Sequence, residues 1–434
     1  MDKMADVLGR AGAWCGQNKY LSAIKNAFQN FMPLTIAGAI GVLWCNVLVN
    51  ESTGLGIFFK PIMALEFLNP AFQAVNFCTI SCITVGITLG IAQEIGVWNM
   101  GAEKAGYIPG LVGLAAWLSV TNTSHMVEGA KEAFTGIAGN ELGATGLFTG
   151  MIIGVLSVEL FCFFEKQDAL KIKMPEQVPP GVARAFEVLV PATITLIITA
   201  CIGSACYNLT GLYLNDVIKN GIQGPLGAVG ATVPGVMIIY LVIMLFWLVG
   251  IHGNNMLSAV KEALFTPLAL ENVEKFNKGE KPTNIINMYA LQMWGEFGGS
   301  GVTIGLVIAI MIFGKREDNK AIASLSLVPG LFNINETVTF GIPMVLNPIL
   351  GIPFVVACLV TILVGYVLTV IGFCPVACLT VPWTTPPIVF GFLACGANVM
   401  GAVTQAILIV VSTVIYTPFL ISYEKYQNKQ AAEA

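Results

Sequence analysis

"VPGLFNINETVTFGIPMVLNP", residues 328–348, sets the carboxylate of Glu336 and the amides of Asn333 and Asn335 among glycines and prolines, inside a chain that is otherwise strongly apolar. The 434 residues are 56% hydrophobic and only 11% charged, and the mean hydropathy is +0.79. A soluble domain carries roughly 25% charged residues. A membrane crossing needs about 20 apolar residues, and this chain supplies such runs repeatedly. The expected fold class is therefore an all-α polytopic membrane protein. Within it, a polar and proline-broken segment is tolerated only where protein or a water-filled cavity satisfies its backbone, so residues 328–348 point to a built site.

Outward from that segment, apolar runs fall near 33–49, 72–92, 108–121, 146–163, 187–206, 233–250, 297–313, 344–373 and 397–422. The run 344–373 is too long for one straight span and contains Pro348, Gly351 and Pro353, and a further crossing fits there or in the polar stretch 252–296. The expectation is about ten transmembrane helices with two re-entrant hairpins in the C-terminal half, near 320–343 and 374–392. Lys3, Arg10, Lys19 and Lys25 precede the first run, and Lys166, Lys171, Lys173 and Arg184 follow the fourth. By the excess of basic residues on the inner side, the N-terminus is expected to be cytoplasmic. Residues 1–31 mix charge with apolar positions in a helical pattern, without the order of a signal peptide, and read as a helix on the membrane surface. The charged segment 165–187, with Pro175, Pro179 and Pro180, reads as a joint between a helical bundle over 1–186 and a second half over 187–434.

Several function classes drop out. The net charge of −4 and the scattered basic residues do not suit nucleic acid. Most of the eleven cysteines lie in or beside apolar runs, where Cys packs as a small hydrophobe, and Cys374 and Cys378 lack the companions of a zinc site. No metal or other cofactor is expected. Neither a phosphate-binding loop nor a nucleotide fingerprint is present.

A carboxylate at membrane depth costs about 2.5–3.5 kcal/mol, so Glu336 is the sharpest candidate, with Asn333 and Asn335 able to hydrogen-bond a polyhydroxyl ligand in several directions. His252, in "WLVGIHGNNMLSAVKEALFTP" (247–267), is one of two histidines and joins the site if it faces Glu336. Trp247 and Trp383 lie beside the broken segments, where an indole offers a flat apolar face and one donor. Trp14, Trp44 and Trp98 read instead as interfacial belt residues. Aromatic faces beside Glu, Asn and His suit a sugar.

Taken with "FMPLTIAGAIGVL" (31–43), "IKMPEQVPPGVARAF" (172–186), "GIHGNN" (250–255) and "PGLFNINETVTFGIPMVLNPILGIPF" (329–354), the chain resembles the membrane-spanning IIC component of a sugar phosphotransferase system, in the lactose/cellobiose/diacetylchitobiose family. The resemblance implies a bacterial cytoplasmic-membrane permease of a phosphoenolpyruvate-dependent system that carries a β-linked disaccharide inward. It implies an N-terminal dimerisation half, a C-terminal half that holds the sugar and moves, and a homodimer in lipid. Carried over, Glu336 and His252 contact the sugar, Glu336 near the hydroxyl that becomes phosphorylated, with Asn335, Trp247 and Trp383 completing the pocket. The phosphoryl group comes from a phosphocysteine on a separate cytoplasmic IIB protein, with IIA upstream. Thr337 departs from the usual proline, and "EIGVWNMGAEKAGYIPG" (94–110) is unlike the family's tyrosine- and aspartate-containing loop, leaving any sugar contact from the N-terminal half unassigned. The broken helices alone would also suit an ion-coupled secondary transporter of a small polar solute.

Overall fold

Proline and glycine mark some helix boundaries, while Pro33, Pro191, Pro267, Pro329 and Pro418 lie inside helices. In the computed structural model, which describes residues 10, 14, 17–51, 56, 59–125, 134–175, 177–225, 230–342, 344–345 and 347–433, the long helices are α1 (Lys19–Leu43), α2 (Ile83–Met100), α3 (Ile108–Val120), α4 (Ala144–Glu165) and α5 (Pro180–Thr210). Then follow α6 (Val233–Leu248), α7 (Ser258–Asn277), α8 (Met288–Gly295), α9 (Ile304–Phe313), α10 (Glu317–Leu331) and α11 (Glu336–Gly341). The last three are α12 (Gly351–Val370), α13 (Val389–Ala394) and α14 (Val399–Glu433). Pro180 opens α5, where its missing N–H is no loss, and Gly211 closes it in the left-handed region. Of the surface helix expected over 1–31, residues 19–31 belong instead to α1, part of a helix long and apolar enough to cross a membrane, and most of residues 1–18, like Pro343 at the end of the first expected hairpin, lie outside the described residues.

Among the described residues, six helices are long and apolar enough to cross a membrane, or seven if the bent pair Met288–Val302 and Ile304–Phe313 is one span. α3 and α6 are shorter apolar helices. The run 297–313, which reads in sequence as a plain span, is instead bent by 59°, because Gly298, Gly299 and Gly301 all take positive φ.

The chain divides into two compact units. One comprises residues 17–38 and 75–228. In it α2, α3 and α4 pack on one another and α5 lies against α3 and α4, around Ala116, Trp117, Val120 and Ile153. The backbones approach closely: a Cβ on Gly113 would stand 2.3 Å from Ala92 Cβ, the small-residue packing that membrane helices use. The joint expected at 186/187 falls inside α5, and this unit continues beyond it, with α5 packed on α3 and α4. Beside it Glu165 is buried, with Arg184 at 3.0 Å and Lys104 at 2.8 Å.

The other unit comprises residues 1–16, 39–74 and 229–434. Here α14 packs on α9, α12 and α13, and α12 also packs on α6 and α8. The non-helical segment 371–388 depends on three buried amides. Asn272 and Asn287 both donate to Ala377 O at 3.1 Å, and Gln405 accepts from the Ile388 and Gly391 N–H groups at 2.8 Å. Unwound backbone in a membrane protein persists only with such partners.

Candidate functional site

Two chain reversals bring His252 and Glu336 face to face. After α6, Gly250 turns with φ +80°, and His252 caps the short helix Gly253–Met256 by accepting the Asn255 N–H at Nδ1, 3.2 Å away. An accepting Nδ1 leaves the proton of a neutral ring on Nε2. That Nε2 lies 4.0 Å from Glu336 Oε1. The separation is too long for a direct hydrogen bond, and a hydroxyl oxygen set to one side of the line joining the two atoms can reach both, accepting from the imidazole and donating to the carboxylate. Both side chains are partly open, at 38% and 48%. Trp247 is buried, its ring 4.5 Å from the imidazole, so it backs His252. Its Nε1 has no hydrogen-bond partner among the described residues.

Glu336 opens α11, immediately after a tight reversal in which Asn333 takes φ +63°. The Asn333 amide is committed to the protein on both sides: Oδ1 accepts the Gly298 N–H at 2.6 Å, while Nδ2 donates to Trp383 O and to Thr385 O. Asn335 is buried and donates to Ser300 O at 2.8 Å. Both amides brace backbone in this structure, Asn333 through both of its polar atoms and Asn335 through Nδ2. Asn333 ties the tip at 333–336 to the segment carrying Trp383, whose indole is 45% exposed. Trp44, expected in the interfacial belt, stacks on Phe72 with centroids 4.2 Å apart, whereas Trp98 is exposed.

The glycine loop 298–301 lies behind both braces and belongs, in sequence, to the apolar run 297–313. A Cβ on Gly299 would stand 2.5 Å from Asn335 Cγ, and one on Gly301 would stand 2.3 Å from Phe354, so only glycine admits these contacts. Also unanticipated is a buried polar group. Lys261 Nζ donates to Glu296 Oε1 and, at 3.0 Å, to Asn254 Oδ1, and the Tyr240 hydroxyl donates to the same Glu296 oxygen at 2.7 Å. Three glycines in four residues, "GGSG" at 298–301, were the available signal for the loop; nothing in the sequence marks Lys261 and Glu296 as partners. Among the described residues no group of three or more His, Cys, Asp or Glu side chains could hold a metal ion.

Residues 25–358 match the family model "Phosphotransferase system, EIIC". The chain is 32% identical to the oligo-beta-mannoside-specific EIIC component of Bacillus subtilis, over 98% of this chain and 94% of that one. It is 28% identical to the cellobiose-specific EIIC component of Lactococcus lactis, with 98% of each covered. Among solved structures it is similar to the transporter ChbC, the IIC component from the N,N'-diacetylchitobiose-specific phosphotransferase system, with a TM-score of 0.88, 29% identity and 97% of both chains covered.

Proposed function

Because this chain belongs to the phosphotransferase-system EIIC family, we propose that it is the sugar permease of a bacterial phosphotransferase system and takes a β-linked disaccharide. The single observation that carries the sugar reading is the 4.0 Å gap between His252 Nε2 and Glu336 Oε1, with the half-exposed Trp383 indole on the segment tied to the same tip. A ring hydroxyl at the side of the gap can bridge it as acceptor and donor together, and an aromatic face takes the apolar C–H face of the sugar. The relatives named for oligo-β-mannosides, cellobiose and diacetylchitobiose support a β-linked disaccharide.

Glu336 and His252 orient the reacting hydroxyl, Trp247 backs the imidazole, Trp383 covers the sugar, and Asn333 and Asn335 hold the tip. The sugar is carried inward by a shift of the C-terminal half. At the cytoplasmic face a phosphocysteine on a separate IIB protein, itself charged from IIA, delivers the phosphoryl group. The S–P bond breaks, an O–P bond forms on the sugar, and the hydroxyl proton passes to the Glu336 carboxylate. Phosphoryl transfer of this kind needs alignment and charge management more than covalent work by the permease. The anionic product is disfavoured in the pocket, which makes uptake one-way.

The same reading extends to architecture: about ten crossings with the N-terminus cytoplasmic, re-entrant hairpins near 320–343 and 374–392, an N-terminal half that dimerises, and a homodimer in lipid. The helix–turn–helix of α10 and α11 and the amide-held segment 371–388 support the hairpins. The test is binding of a panel of β-linked disaccharides to purified protein by tryptophan fluorescence, with Trp383→Phe as control. A saturable signal for one sugar that is lost or reduced in the control is expected. No signal from any sugar in folded protein would sink the sugar reading.

A further inference from the structure

Lys261 is almost wholly buried, an uncommon fate for a lysine unless it is paired. Its ammonium joins Glu296 and Asn254 and lies 5.5 Å from the Tyr240 ring centroid. From Asn254 the contacts continue: Asn254 Nδ2 donates to Ser300 Oγ at 2.9 Å, and Ser300 O accepts from Asn335 Nδ2 at 2.8 Å. Asn335 immediately precedes Glu336. At the other end, Asn254 belongs to the short helix that His252 caps. One buried ion pair is thus connected, through Asn254, Ser300 and Asn335, to both groups that face each other across the 4.0 Å gap.

A buried ion pair is a poor stabiliser compared with apolar side chains of the same volume, because desolvation offsets the Coulomb gain. Fixing geometry is the role left to it. We propose that the Lys261–Glu296 pair is a positioning element of the sugar site, setting the spacing of His252 and Glu336 through Asn254, Ser300 and Asn335. The proposal rests on the sugar reading above. In it Lys261 and Glu296 do not touch the sugar; they hold the helix capped by His252, the glycine loop and the start of α11 in one register.

The experiment compares wild type, the charge-neutral variant Lys261→Met/Glu296→Gln, Glu336→Gln and the triple variant. For each, melting temperature, disaccharide affinity and phospho-IIB-dependent sugar phosphorylation are measured. Removing both charges avoids an orphaned ion. The double variant is expected to melt within a few degrees of wild type yet bind the disaccharide roughly tenfold more weakly. Because it acts through Glu336, the triple variant should bind no more than about twofold more weakly than the weaker parent, the non-additivity of coupled residues. Unchanged affinity in the double variant, or losses that multiply in the triple, would overturn the proposal. Ser300→Ala covers the case in which the double variant does not fold. It leaves the ion pair intact, removes only the acceptor of the Asn254 bond, and is expected to weaken binding about threefold; wild-type affinity there would also overturn the proposal. A wild-type chain that binds no disaccharide removes the sugar reading and this proposal together. A wild type that binds, is weakened by Glu336→Gln and is indifferent to the charge-neutral change removes this proposal alone.

Discussion

Glu336 and His252 face each other at 4.0 Å with partly open side chains, so on the proposed sugar reading their substitution should act on ligand rather than on folding. Glu336→Gln keeps shape and one acceptor but removes the charge that a hydroxyl would meet. A charge-assisted hydrogen bond contributes about 1.5–3 kcal/mol, so sugar affinity or phosphorylation should fall roughly tenfold to a hundredfold, with little change in melting temperature. Wild-type binding and turnover in that variant would take Glu336 out of the site. Trp247→Phe should behave differently from Trp383→Phe. The first sits buried behind the imidazole, and its loss should lower both stability and affinity, whereas the exposed Trp383 should affect affinity alone. Parallel melting and binding curves would separate them. Glu336, His252 and the two tryptophans stood out in sequence as candidates because a charge, a rare histidine or an indole in a broken apolar segment is costly and conspicuous. The Lys261–Glu296 pair was not, since its partners stand 35 positions apart and each alone reads as an ordinary helix-end charge.

The glycine loop 298–301 is the element on which the site turns. Gly299 combines φ +87° with a Cβ position 2.5 Å from Asn335, so Gly299→Ala must both strain the backbone and push α11. Gly279 has a similar φ of +72° with nothing nearby, and Gly279→Ala carries the backbone strain alone, of order 1–3 kcal/mol. The expected result is a clearly lower sugar affinity for Gly299→Ala and unchanged affinity for Gly279→Ala; equal affinities would mean that the loop does not position α11. Gln405→Leu tests the other element. It strips acceptors from the Ile388 and Gly391 N–H groups, a cost of about 1–3 kcal/mol per buried group left unpaired. The melting temperature should drop, and increased proteolysis within 371–388 would report where. The two broken segments could be found from their prolines, with two asparagines in the first, whereas the 59° break at 288–313 was signalled only by the glycines of "GGSG" (298–301), because the residues that follow are as apolar as those of a plain span.

For the whole molecule, the proposed coupling of transport to phosphorylation makes a prediction that separates it from an ion-driven carrier. In reconstituted vesicles, labelled disaccharide should exchange by counterflow without any donor. Net uptake should need phospho-IIB and appear as sugar phosphate, and collapsing the proton and sodium gradients should leave it unchanged. Uptake that follows an ion gradient without IIB would favour the secondary-transport reading instead. Light scattering of the purified protein, corrected for detergent, should give twice the 46.1 kDa chain mass if the chain dimerises.

By itself the sequence determined that this is a helical membrane protein, and it marked the broken polar segments of the second half, with their charged and aromatic residues, as the candidate site. Those conclusions rest on local properties: hydropathy, the backbone limits of proline and glycine, and the cost of a charge in an apolar setting. Only the tertiary structure decided that α5 belongs with α3 and α4, that Asn333 and Asn335 brace the site, and that a buried lysine pairs with Glu296 behind it. Each of these is a contact between positions distant in the chain, and such contacts exist only once the helices have packed.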